Sequence, residues 1–114
     1  MTGFSPKTRQ IIIDRAEEIC ERCAAARGSD VHHRRPRGMS GSKDPLTNTP
    51  ANGCLLCRGC HSRSESRREE ALEQGWLVRQ GHDPSTVPVF YRQWRWALLD
   101  ELGGIDYLDD YQEN

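Results

Sequence analysis

The sequence predicts an α+β fold, and three observations predict it. Ile12, Ala16 and Ile19 fall at i, i+4 and i+7, the apolar stripe of a helix over about residues 6–20. Residues 31–75 then read as strand, long loop, strand and helix. Two C-x-x-C pairs, Cys20/Cys23 and Cys57/Cys60, stand 33 residues apart, at a spacing that lets a metal ion join the first helix to the later unit.

The elements follow in order. Ser5-Pro6 starts the helix with a capping hydroxyl and a proline at the first helical position. AAARGSD (24–30) is a turn. VHHRR (31–35) opens on a β-branched residue and reads as a strand. From Pro36 to Gly53 the chain has three glycines, three prolines and almost nothing apolar, a loop of a length that compact domains keep for function. CLLC (54–57) is a short apolar strand. Ser62-Arg-Ser-Glu65 has capping-box spacing and opens a helix running to Gln74, with Gly75 as its stop. WLV (76–78), VPVFY (87–91) and WRWALL (94–99) read as strands. The last two form a hairpin joined at Arg92-Gln93, with Trp94, Trp96 and Leu98 alternating onto one face. A single domain over 1–114 results: a core at about 18–75, a β extension at about 76–103, and an acidic tail at 104–114.

Only 35% of the 114 residues are apolar and 29% are charged, so the core is thin and needs another support. Five cysteines offer one. The N-terminal stretch has no apolar signal region, and no run approaches the ~20 apolar residues of a membrane span. A cytoplasmic setting is the expectation, and there paired cysteines read as metal ligands. The net charge of −1 hides an uneven distribution. Residues 31–70 carry eight Lys/Arg against four Asp/Glu, and residues 71–114 three against eight. A basic middle suits a polyanion.

Four thiolates from two knuckles form the closed tetrahedral shell of structural zinc. Within CLLCRGC the ligand pair is Cys57 and Cys60. Arg58-Gly59 supplies a tight turn, whereas a strand directs Cys54 and Cys57 to opposite faces. Cys54 is then a packed residue. His61 follows a filled shell, but His32, His33 and His61 all lie beside the strand–loop–strand–helix unit. Neighbouring residues of a strand point to opposite faces, so one of His32 and His33 can bind a metal with His61 while the other acts as a base.

VHHRRP, a Gly-rich loop and ANGCLLCRGCH in this order resemble the HNH endonucleases of the ββα-metal superfamily, most of all the small zinc-stapled type of phages and prophages. GWLV, DPSTVPVFY and WALLD are similar to the C-terminal extension of those proteins, so the resemblance covers about residues 8–103. It implies a ββα-metal core and divalent-metal-dependent cleavage or nicking of DNA with little sequence specificity. The ends left are 5′-phosphate and 3′-hydroxyl, and a phage terminase is the implied partner in genome packaging. His33 matches the general base. His32 and His61 match the ligands of the catalytic divalent metal, and Asn52 matches the residue that holds the loop and so orients the base. Asn48 shares the loop, but the spacing favours Asn52. His82 falls outside every motif.

The chemistry agrees. A metal with two protein ligands keeps positions open for a phosphate oxygen, the leaving oxygen and solvent. Imidazole ligands suit Mg²⁺, Mn²⁺, Ni²⁺ or Zn²⁺, and an all-imidazole pair leans to a transition metal. Arg34, Arg35, Arg37, Lys43, Arg58, Arg63 and Arg67 are the candidate contacts to the DNA backbone, which position the strand and read little sequence. A restriction-type HNH nuclease has the same residues. A non-catalytic zinc module for DNA or protein also explains the cysteines and the basic patch, but has no use for His33, Asn52 and His61 in register.

Overall fold

Ser5 accepts a hydrogen bond from the Thr8 N–H at 3.1 Å, Pro6 takes the first helical position, and helix α1 (Pro6–Ala16) follows. The computed structural model describes residues 3–36 and 44–108. Ile12 and Ala16 carry the buried stripe of α1. The helix stops four residues short of the predicted end. Glu17 and Glu18 both take left-handed φ values, 55° and 66°, and Ile19 then bridges to Arg27. The reason lies in the knuckle that follows. A continuing helix would commit the N–H groups after residue 19 to helical carbonyls, whereas Cys23 N–H and Ala25 N–H point at cysteine sulfurs, 3.4 Å away in each case.

Strand β1 (Asp30–His33) pairs antiparallel with β2 (Gly53–Leu56), with His32 opposite Cys54 and His33 opposite Gly53. Helix α1 packs beneath this pair, and a Cβ on Gly53 would collide with the Ile12 side chain. Pro50–Asn52 forms one 3₁₀ turn leading into β2. Helix α2 (Arg58–Ser66) begins four residues before the predicted Ser62, with Cys57 at its N-cap. Arg58-Gly59 is therefore the first turn of a helix and not a separate loop turn, and Cys60 and His61 lie inside that helix. A break at Arg67 (φ −114°, ψ 69°) separates α2 from α3 (Arg68–Gln74), which ends on Gly75 at φ 84°. That φ suits glycine, and a Cβ there would also strike the Pro88 carbonyl.

Residues 76–78 are not a strand. Trp76, Leu77 and Val78 are buried in a bend after α3, where the Trp76 and Leu77 N–H groups return to the Ala71 carbonyl, and the Val78 N–H bonds the Arg34 carbonyl instead of a ladder partner. The predicted hairpin is present as β3 (Val89–Tyr91) and β4 (Arg95–Leu99), but the acidic tail adds a third strand, β5 (Ile105–Tyr107), in the order β3-β4-β5. Arg92 and Gln93 both have positive φ, as a type I′ turn requires. Arg92 is held there by its N–H on Glu21 O at 2.9 Å and its guanidinium on Ala16 O at 2.7 Å. The tighter face of β4 is Ala97 and Leu99, so the alternation of Trp94, Trp96 and Leu98 marks the outer face.

Two small apolar clusters result. Leu56, Trp76, Val89, Tyr91 and Leu99 gather around the cysteines, while Phe4, Ile12, Ala16 and Leu55 sit under β2. Buried polar groups brace them. Glu21, inside the first knuckle, accepts two bonds from Arg15 (2.8 and 2.9 Å), one from the Leu55 N–H (2.8 Å) and one from Tyr91 OH (2.6 Å). This arrangement joins α1, β2 and β3. Among the described residues no helix is long and apolar enough to cross a membrane.

Candidate functional site

Two clusters of side chains that could hold a metal ion both draw on α2 and its cap. The first is Cys20, Cys23, Cys57 and Cys60, whose sulfurs all lie within 4.8 Å of one another. Zn–S bonds of about 2.3 Å in a tetrahedron set S–S edges of about 3.8 Å, and Cys23 Sγ lies 3.9 Å from Cys57 Sγ. Burial pushes the Cys20 and Cys60 thiols up. It acts on Cys23 in the same direction, but the Ala25 N–H and the Cys20 thiol bring that group down to about 7. Four thiols gathered this closely fit a site completed by a cation, and an ion such as zinc suits four sulfurs. Cys54 stays outside this cluster. It is buried opposite His32, and burial raises its thiol.

The second cluster is His32, His61 and Glu65, again with one donor atom each within 4.8 Å. Its hydrogen bonds decide which atoms face inward. His32 Nε2 lies 2.9 Å from the Trp76 carbonyl. A carbonyl only accepts, so Nε2 carries the proton and Nδ1 is the ligand atom. His61 Nδ1 lies 2.9 Å from Asp30 Oδ2, which leaves Nε2 to bind, 3.6 Å from Glu65 Oε2. A carbonyl and a carboxylate behind metal-facing imidazoles fix ring orientation and tautomer. Burial holds His32 down to about 4, so it is a neutral, lone-pair-bearing imidazole near neutral pH. The three donors face an open cleft of about 310 Å³ that His33 and Arg68 also line. Two imidazoles and one carboxylate suit a divalent ion with open positions.

His33 stands beside this cluster. Its Nε2 lies 2.8 Å from Asn48 Oδ1, and Phe4 stacks on the ring at 4.0 Å between centroids and 12° between planes. Asn48 is thus the asparagine in direct contact with His33, while Asn52 holds the loop as expected. Asn52 is wholly buried and staples the loop. Its Oδ1 accepts from the Arg35 N–H at 2.7 Å, and its Nδ2 donates to Arg35 O and Thr47 O. Spacing to Cys57 picked out this loop-holding asparagine, and the contact of Asn48 with His33 is a tertiary one that spacing does not show.

The basic residues separate. Arg34 and Arg35 are corrections. Arg34 is fully buried and donates to the carbonyls of Gly75, Ala51, Pro84 and Val87, so it cannot reach a phosphate. Arg35 is buried on Asp44 and the His82 carbonyl. Arg63 is exposed but paired with Glu70, while Arg58 and Arg67 are exposed. Arg37 and Lys43 lie outside the described residues. His82 is exposed and in neither cluster.

Three residues escaped sequence reasoning. Glu65 had a signal, since it stands at i+4 from His61 on one helix face. Asp30 and Phe4 reach the histidines only through tertiary placement. No family model, curated protein or solved structure matches this chain.

Proposed function

We propose that this chain is a metal-dependent endonuclease of the HNH type that hydrolyses DNA phosphodiester bonds with little sequence specificity. One observation carries the proposal. His32, His61 and Glu65 converge on one side of a cleft that His33, the next residue of the same strand, also lines. A purely structural metal site needs neither the open cleft nor a held imidazole beside it.

His32, His61 and Glu65 would hold a divalent ion. When bound, the ion supplies positive charge to the phosphate and to the leaving 3′-oxygen. His33 takes the proton from the attacking water as general base. Asn48 accepts from its Nε2–H and fixes the tautomer, and Phe4 fixes the ring plane. Asp30 and the Trp76 carbonyl hold the two ligand imidazoles in place. The cysteine centre stays closed and maintains α2, on which His61 and Glu65 ride. A phage terminase as working partner rests on the family resemblance alone.

Plasmid nicking by purified protein in Mg²⁺, Mn²⁺, Ni²⁺ and Zn²⁺ tests this. Wild type should nick, with a transition metal ahead of Mg²⁺. His33→Ala should lower the rate by about 10²- to 10⁴-fold while DNA binding persists. Binding without nicking in every metal would favour a non-catalytic zinc module instead.

A further inference from the structure

Several arginines among the described residues are already committed. Arg15, Arg22, Arg34 and Arg35 are internal and hold carboxylates or carbonyls, and the exposed Arg27 and Arg63 are paired with Glu18 and Glu70. Arg68 and Arg79, like Arg9, Arg58 and Arg67, are not so committed. Both are exposed, and among the described residues neither guanidinium has an ion pair or a hydrogen bond.

They also share a groove. Next to the histidine cleft lies a second depression of about 430 Å³, lined by Pro36, Arg68, Leu72, Val78, Arg79 and Gln80. Pro36 and Arg68 belong to both, so one continuous surface runs from the His32–His61–Glu65 cluster to Arg79. Gln80 Nε2 donates to the Pro36 carbonyl at 2.6 Å and ties the wall common to both depressions. No carboxylate lines the second groove. Two guanidiniums without an ion pair, in a groove that no carboxylate lines, make a local site for an anion.

We infer that this groove is the phosphate track of the nuclease: Arg68 and Arg79 each neutralise one backbone phosphate of the DNA strand flanking the phosphate held at the histidine cluster. The inference rests on the nuclease reading and adds direction to it. The strand leaves the metal cleft across the 75–80 segment, and its basic contacts come from α3 and the segment after it. Arg34 and Arg35, two of the eight Lys/Arg in residues 31–70, take no part. Each contact is to backbone, so the track adds affinity without sequence preference.

Binding of a labelled duplex, followed by fluorescence anisotropy across a salt series without added divalent ion, tests this without relying on cleavage. Each phosphate contact contributes about 0.9 to the slope of log K against log salt concentration. Arg68→Ala and Arg79→Ala should each reduce the wild-type slope by about that amount, and the double variant by about twice as much. Arg9→Ala, an exposed α1 residue outside both depressions, should leave it unchanged. Wild-type binding with undiminished slopes in both groove variants would overturn the track and leave the nuclease reading standing. An equal loss in Arg9→Ala would overturn it too, by showing a diffuse field instead of a groove. A wild type that binds no DNA would overturn the nuclease reading, and the track with it.

Discussion

The cysteine centre and the histidine centre share a helix yet are built on opposite principles. Cys57, Cys60, His61 and Glu65 all come from α2 or its cap, so adjacent residues serve different sites. The cysteine centre takes one pair from a turn whose backbone N–H groups point at sulfur and the other from the cap and first turn of α2, and its four sulfurs could close a shell around an ion. The histidine centre takes ligands from a strand and a helix, holds each ring through a polar atom behind it, and opens on a cleft. Closure provides stability and openness leaves room for chemistry. On the proposed reading, the arrangement separates what keeps the chain folded from what it does.

That contrast is broken most severely at Cys60. Cys60→Ser, or removal of metal with a chelator, should abolish cooperative thermal unfolding. Structural zinc is worth about 10–16 kcal/mol in small domains, against a total stability of about 5–15. His61→Ala, one residue away, should stay folded and lose divalent-ion binding and nicking. If both variants unfold alike, the two centres are one.

The polar brace behind the cysteines comes next. Arg15→Met leaves Glu21 buried with its main partner gone, and urea unfolding should show a loss of about 3–5 kcal/mol. Nicking at a temperature where the variant is folded should be unchanged.

The histidine centre should reveal itself in acid. Burial holds His32 at about 4 when folded, against 6.5 ordinarily. Between these values the unfolded chain takes up a proton that the folded chain refuses. Stability present above pH 6.5 is therefore lost as the pH falls towards 4, by up to about 3 kcal/mol. Urea melts at both ends of that window, without added divalent metal, should show wild type losing about this much more than His32→Gln. Equal losses would contradict a buried neutral imidazole.

The two asparagines give the smallest and most discriminating pair. Asn52→Ala should cost about 1–3 kcal/mol through its abandoned loop partners. Asn48→Ala should cost less stability and yet slow nicking, because its partner is His33.

Local chemistry carried much of the fold into view. Ser5-Pro6, Gly75 and the spacing of the cysteine pairs each act within a few residues, and the structure uses all of them. Boundaries failed where tertiary demands overrode propensity. Helix α1 stops at Ala16 to shape a knuckle, and α2 starts at Arg58 so that its first turn can hold Cys60. Strand β5 was hidden in an acidic tail, although Asp100 accepting from the Leu102 and Gly104 N–H groups is ordinary turn chemistry. At the site, spacing found His32, His33 and His61 but counted Arg34 and Arg35 as surface charge. Composition records a charge and not the carbonyls that bury it.

A crystal structure of the protein soaked in Mn²⁺, with anomalous maps at the zinc and manganese edges, tests the central claim most directly. The account predicts zinc enclosed by Cys20, Cys23, Cys57 and Cys60, and manganese held by His32, His61 and Glu65. A single ion, or manganese absent from the histidine cluster while zinc fills the cysteines, would contradict it.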